Sequence, residues 1–368
     1  KISTFTTYPS RKVSFIMSHL ASVRTNLDPL FKESLKIMNQ PLTRVASAEL
    51  VAAVSEAGGL GVIPATHFTP DEISAFCSLV KKRTTRPFAI ALDVDESAFD
   101  TSHVPELIAE LAPLLEELGL PTELTEETAS DLGLLEPPSL QECFGAAIAQ
   151  SPCAMIAQYG GFREPEAEVL EGAGIVNMAF CTTLKEAKVL RSAGCQVLIA
   201  QGAESSGARM TFEEDSAMSV GLMSLVPSAS QVTGLPVVAC GGIWCSEQLV
   251  ALQALGAIGA MLGTALVNLK ESGASEAYRY WATQGQVGDT TVASTYDSVP
   301  ARMLKNSFTG WYWEGSPIPR KVYQRLFATI EKAAAEAGRN DLLVYELGSS
   351  IGRAQYRCIS DVVKHLLS

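Results

Sequence analysis

Short apolar runs recur along the chain at LKIMNQ (35–40), LGVIPA (60–65), FAIALDV (88–94), CAMIAQ (153–158), GIVNMAF (174–180), QVLIAQ (196–201), PVVAC (236–240) and IGAMLG (258–263). Their apolar positions are continuous more than alternating, the pattern of strands covered on both faces, as in a parallel sheet. Amphipathic helical segments lie between them. SAELVAAVSEAGG (47–59) opens on Ser47, a side-chain N-cap, and closes on Gly58 and Gly59. TPDEISAFCSLVKKR (69–83) has Thr69 as cap, Pro70 in its first turn and two acids directly after. TLKEAKVLRSAG (183–194) and SEQLVALQALG (246–256) follow the same plan.

About eight strand–helix repeats is the number that closes an α/β barrel, so the predicted fold is a (β/α)8 TIM barrel. A doubly wound open sheet is the structural alternative, because a repeat count separates the two poorly. The predicted barrel spans residues 34–270, after an N-terminal extension over 1–33. Residues 95–145, acidic and leucine-rich (LIAELAPLLEELGL), interrupt the repeats after the third strand. They form either an extra helical pair on the barrel or a lid over its mouth. Residues 271–368, with the aromatic clusters YRYW and GWYW, are expected to be a helical region that completes the barrel domain.

Composition narrows the function classes. A formal charge of −12 over 368 residues, with no basic tract, argues against nucleic-acid binding. No apolar run reaches the ~20 residues of a membrane-spanning helix. The 8 cysteines are scattered without a CxxC pair, and the 4 histidines lie far apart. That usage fits reduced, buried thiols in a cytoplasmic protein, with no metal site. The basic start, KISTFTTYPSRKVSFIMSHL, reads as a transit-like leader, as upstream sequence before Met17, or as a terminus without function.

The strongest chemical signal is PVVACGGI…GAIGAMLGTALV, residues 236–267. Two successive strands end on Gly241-Gly242 and on Gly263-Thr264, and a helix follows each. Paired glycines there let backbone N–H groups approach a phosphate at helix N-termini, the anion site of barrels after strands seven and eight. Glycines that merely make tight turns are the alternative.

With these motifs the chain resembles the nitronate monooxygenase (2-nitropropane dioxygenase) family of FMN-dependent barrels, which also resemble an FMN-dependent enoyl-acyl carrier protein reductase. The resemblance runs from about residue 36 to 368. It is carried by IMNQPLTRVASAELVAAVSEAGGLGVI (37–63), PFAIAL (87–92), IAQG (199–202), ACGGI, MLGTALV and SVPARMLKNSF (298–308). It implies FMN, with its phosphate on Gly241, Gly242, Gly263 and Thr264. It also implies that Gln201 and Gly202 lie near the isoalloxazine and that Pro41 and Leu42 contact the flavin through backbone. The implied activity is oxidation of a small organic substrate with oxygen as acceptor. An enoyl reductase-like reaction, redox-neutral isomerisation, cyclisation or elimination on the same scaffold, and a non-catalytic ligand-binding barrel are the alternatives. A small-molecule substrate is the expected partner, and a homodimer the assembly left open.

Departures from the family's pattern bear on the chemistry. The family's loop after AQG commonly reads E-A-G-G-H or C-A-G-H, with the histidine near the reacting carbon. Here QGAESSGARM (201–210) puts Ala208 at that place, and alanine cannot take a proton. The third strand ends in Ala91-Leu92 where the family often has N-L, and MAFCTT at the fifth strand offers no lysine. Arg44 stands where the family often has glycine, so it either neutralises a flavin or substrate anion or is an exposed surface arginine. Three further residues are candidate acids, bases or donors. His67 after the second strand could titrate near neutrality or merely neighbour an N-cap. Tyr159 after the fourth could donate to an oxyanion or pack as an aromatic. Glu204 is the most chemically capable group of the 201–210 loop.

Overall fold

The structure is a computed structural model that describes residues 36–212, 220–296, 298–315 and 317–367. The expected N-terminal extension and most of the acidic segment after residue 210 lie outside the described residues. Eight strands form one parallel sheet: β1 (Ile37–Asn39), β2 (Gly61–Pro64), β3 (Phe88–Asp93), β4 (Ala154–Gln158), β5 (Val176–Cys181), β6 (Val197–Gln201), β7 (Val237–Cys240) and β8 (Ala257–Leu262). Neighbours in sequence are neighbours in the sheet, β1 pairs with β8, and a bridge between Met38 and Leu60 brings β1 back beside β2. The ring is a (β/α)8 barrel, and the open-sheet alternative falls.

Alternation within each strand divides the core in two. On β3, Phe88, Ile90 and Leu92 pack outward with the helices, while Ala89 and Ala91 face the barrel interior with Met38, Ile156, Met178 and Val238. The surrounding helices are α1 (Ala48–Glu56), α2 (Pro70–Lys81), α3 (Val104–Glu117), α4 (Leu140–Ile148), α5 (Glu164–Gly172), α6 (Leu184–Ser192), α7 (Leu222–Thr233) and α8 (Ser246–Ala254). Local chemistry starts them. Ser47 accepts from Leu50 N, and reciprocal capping boxes join Thr69 to Glu72 and Thr183 to Glu186.

After β8 the chain makes a long excursion carrying α9 (Glu276–Gln284) and α10 (Arg320–Glu336), then ends in α11 (Ile359–Leu367). α11 packs against α8 and α1, so the chain's last helix closes the outer ring. The excursion is not purely helical, which corrects the expectation for residues past 270. Strands Thr290–Ala293 and Ala301–Leu304 pair antiparallel, and Ala301 and Arg302 pair in turn with Ala208 and Gly207. The inserted segment after β3 packs against this excursion rather than standing alone. Trp311 Nε1 donates to Glu110 at 3.1 Å, and Arg325 Nε to Gly133 O at 2.9 Å.

Helix α1 crosses β2 at a glycine. A Cβ on Gly61 would stand 2.1 Å from Val51 O and 2.7 Å from Ser55 Oγ. Gly61→Ala is therefore expected to lower the urea midpoint, by about 1–3 kcal/mol of overpacking. An unchanged midpoint would contradict this close approach.

Candidate active site at the barrel mouth

The strand C-termini open on one face, where loops build a cavity of about 270 Å³. Gln40, Pro41, Leu42, Thr43 and Arg44 after β1 form one side, and Thr66 and His67 after β2 adjoin them. Gln158 and Tyr159 after β4 and Ala208 and Met210 after β6 form the other side. Gln324, Phe327, Ala328 and Glu331 of α10 form the cover, so α10 acts as the lid and the insertion backs it. Thr66 and His67 also wall a second cavity of about 280 Å³, roofed by Leu135–Pro138 of the insertion.

Tyr159 sits in the left-handed region at φ 61°, and the Arg320 guanidinium lies 3.6 Å from its ring centroid. The same guanidinium donates to both Asp93 oxygens at 2.8 and 2.7 Å, to Asp95 at 3.0 Å and to Gln324 Oε1 at 2.9 Å. Both side chains of the main pair are buried, Arg320 at 8% and Asp93 at 4% exposure. Burial works against the Arg320 charge, yet Tyr159, Asp93 and Asp95 more than offset it, and its pKa is raised. The strut joins α10 to the end of β3. Asp93 and Asp95 therefore do more than solvate a strand end.

Arg44 is half-exposed, and its charge is already met. It pairs with Glu331, and its Nη1 lies 3.6 Å from Glu346. Burial opposes its charge and the two carboxylates hold it, so its pKa is raised. Glu331 is committed on its other oxygen too, accepting from Val344 N at 2.9 Å. Arg44 thus stands between two carboxylates, Glu331 and Glu346.

His67 opens to the cavities but is flanked by protein. Loss of water lowers its pKa to about 4, with Arg320, Arg44 and Arg325 lowering it further and Asp93 opposing. The shift favours the neutral imidazole, and His67 stands two residues before the N-cap Thr69.

The 201–210 loop is tied along its length. Gln201 Nε2 donates to Ala208 O at 2.9 Å, and its Oε1 accepts from Met210 N at 2.9 Å. With both ends of its amide used inside the loop, Gln201 does not face the cavity. Gly202 bonds to Cys240 O through its N–H, and Arg209 holds its carbonyl. Arg302 Nε holds Ala203 O at 3.0 Å. Glu204 also lies away from the cavity: both its oxygens accept from Leu222 N at 3.1 Å, at the start of α7. Downstream, Glu186 accepts from Thr211 Oγ1 at 2.6 Å and Phe212 N at 3.0 Å. Ala208 alone of the expected base position reaches the cavity wall, and it carries no proton acceptor. Cys240 is buried beside Ser205, and burial pushes its thiol up to about 11. Among the described residues no group of side chains has the makings of a metal site.

The glycine turns after β7 and β8 have the form an anion needs. Gly241 and Gly242 have φ of 139° and 66°, open to glycine and strained for other residues. Among the described residues, the N–H groups of Gly242, Ile243 and Gly263 find no acceptor. Three backbone donors on adjacent turns make a site for an anion. Thr264 is buried, and its Oγ1 accepts from Gly348 N at 2.8 Å, which leaves the hydroxyl proton free to donate. Gln40 and Ser206 stand directly before Gly263, where a Cβ would meet Gln40 Oε1 at 2.4 Å and Ser206 Oγ at 2.5 Å. Gln40 was not a candidate from sequence, and neither were Gln324, Phe327 and Glu331 of the cover. The one signal for Ser206 was the serine in ESSGA, where E-A-G-G-H has glycine.

Comparison with known proteins agrees with this geometry. The family model described as nitronate monooxygenase matches residues 25–368. A probable nitronate monooxygenase of Staphylococcus saprophyticus is 31% identical over 319 residues, covering 85% of this chain and 88% of that one. Another, from Staphylococcus haemolyticus, is 31% identical over 301 residues, covering 80% and 82%. The crystal structure of nitroalkane oxidase from Streptomyces ansochromogenes superposes with a TM-score of 0.81 at 27% identity, over 93% of this chain and 96% of the other. FabK from Thermotoga maritima shares the fold, with a TM-score of 0.66 at 21% identity over 93% and 94% of the two chains. The frame is thus that of an oxidoreductase. The chain belongs to the nitronate monooxygenase family.

Two outcomes are expected from the electrostatics. Arg320→Met leaves Asp93 buried without its main partner and should cost about 3–5 kcal/mol, read from urea midpoints; a loss below ~1 kcal/mol would mean the strut is dispensable. Because the folded pKa of His67 is depressed, the unfolded chain alone takes up its proton below its ordinary value of 6.5. His67 therefore leaves stability untouched above that pH and lowers it as pH falls toward 4. His67→Gln should flatten that acid-side loss, and an imidazole NMR midpoint at or above 6.5 would contradict the assignment.

Proposed function

We propose that this chain is an FMN-dependent oxidoreductase whose substrate arrives already ionised, of the nitronate class, with oxygen as acceptor. The observation that carries this reading is that the mouth offers no available base among the described residues: the expected position is Ala208, the cavity carboxylates Glu331 and Glu346 pair with Arg44, and the basicity of His67 is lowered. A neutral nitroalkane must lose a carbon-bound proton before oxidation, whereas a nitronate has already lost it. A positioned base contributes roughly 10²–10⁴-fold to such a step.

Gly241, Gly242, Gly263 and Thr264 would hold the FMN phosphate end, and Pro41 and Leu42 the ring side, where both line the cavity. When bound, FMN supplies the two-electron oxidation and passes the electrons on. The rest falls to side chains of this chain. Leu42, Met210, Phe327 and Val344 give the cavity apolar walls that exclude water. Neutral His67 can give or take a hydrogen bond with a substrate oxygen without bringing charge. The strut from Asp93 through Arg320 fixes Tyr159 at the rim.

The test is a comparison of propyl-2-nitronate with neutral 2-nitropropane on the FMN-loaded protein. kcat/KM is expected to favour the nitronate by roughly 100-fold or more, and Ala208→His to narrow that gap. Equal rates on the two would sink the reading. Flavin bands that stay unbleached under anaerobic nitronate would move the chain to redox-neutral chemistry.

A further inference from the structure

Beside the phosphate turn stand two side chains that bond each other. Gln40 Nε2 donates to Ser206 O at 2.8 Å, and Ser206 Oγ donates to Gln40 Oε1 at 2.9 Å. Both residues are buried, and the two oxygens that face Gly263 come from this pair. They link the loop after β1 to the loop after β6, across 166 residues of sequence. Behind the pair the loop is braced. Ser349 N donates to Glu204 O at 3.0 Å, a Cβ on Gly348 would meet Glu204 O at 2.7 Å and Ser206 N at 3.0 Å, and one on Gly241 would meet Ser205 N at 3.0 Å. The side of Gly263 on which a Cβ would stand is therefore occupied by this pair.

We infer that Gln40 and Ser206 form a latch that sets flavin specificity: a terminal phosphate reaches its turn only by breaking the latch, so this chain discriminates weakly between FMN and riboflavin. The physical ground is a competition. A phosphate gains backbone donors at the turns but must displace two neutral hydrogen bonds and two packed side chains. A flavin without phosphate has no group that must enter, and its ring still meets Pro41 and Leu42 in the mouth cavity. Ser206→Gly removes the hydroxyl and its β-carbon from in front of Gly263. Gln40→Ala removes the partner. Each is expected to favour the phosphorylated ligand alone.

This inference rests on the flavin reading above, and flavin binding tests both separately from turnover. Riboflavin and FMN are titrated by fluorescence quenching into the wild-type chain, Ser206→Gly, Gln40→Ala and the milder Ser206→Ala, with folding checked by circular dichroism. In the wild type the two dissociation constants should agree within roughly threefold. In Ser206→Gly and Gln40→Ala, FMN should tighten by roughly tenfold, about the worth of one net hydrogen bond, while riboflavin stays unchanged. Ser206→Ala should shift FMN in the same direction by less. A wild type that prefers FMN over riboflavin by roughly 100-fold, or variants that weaken FMN, would overturn the latch and leave the flavin reading standing. Failure of either flavin to bind any of the four proteins would overturn the flavin reading itself, and the latch with it.

Discussion

A buried guanidinium holds the mouth of this barrel in shape. Arg320 comes from α10, in the excursion after the last strand, and its partners Asp93 and Asp95 come from the end of β3, 227 and 225 residues earlier. Ion pairs of this kind are weak evidence for stability, because desolvation of both charges offsets their attraction. Their value is directional. A planar fork can satisfy two carboxylates and a glutamine only from one position. That position fixes the register of α10 over the mouth, and so decides that Gln324, Phe327 and Glu331 face the cavity. It also seats a cation against the ring of Tyr159, a residue whose left-handed backbone already needs support from its surroundings.

The loop from Gln201 to Met210 depends on the same excursion. Its two-residue strand is completed by Ala301 and Arg302, and the Arg302 side chain reaches on to Ala203. Almost every polar group that the sequence offered as chemistry in this loop is spent on holding it. Gln201 clamps the strand, Glu204 opens α7, Ser206 closes on Gln40, and Arg209 secures Gly202. A loop so tied is a wall and not a source of acid or base. Its residues at the cavity, Ala208 and Met210, contribute shape and apolar surface.

What the sequence makes legible follows the range of the interactions. All eight strands lie where apolar continuity puts them, and Ser47, Thr69 and Thr183 start their helices, because periodicity and caps are properties of a few neighbouring residues. The glycine turns were legible for the same reason. The side-chain roles were not. His67 is an ordinary histidine in PATHFTPDE, and only the assembled mouth surrounds it with Arg320, Arg44 and Arg325. Arg44 reads as a free cation until Glu331 and Glu346 arrive from the far end of the chain. The strands at 290–293 and 301–304 are short and pair mainly with each other, so composition alone did not separate them from the helices on either side.

Fold and site therefore carry different information about this family member. The barrel needs only apolar strands, close helix crossings such as Gly61, and turns after β7 and β8, all of which survive in this chain and account for its likeness to the relatives. Oxidation of a neutral nitroalkane would need a proton acceptor at one place, and a flavin phosphate would need room beside the turn at another. At the first the chain has a methyl group, at the second a serine and a glutamine bonded to each other. Ala208 and Ser206 lie on the loop after β6, and Gln40 on the loop after β1. The cavity wall and the phosphate approach are thus mechanically one object, pinned at Gln201, Glu204 and Ser206, so a change that lets the phosphate in also alters the wall that the substrate meets. The wall at Ala208 and the contact at Gly263 are thus carried by one loop.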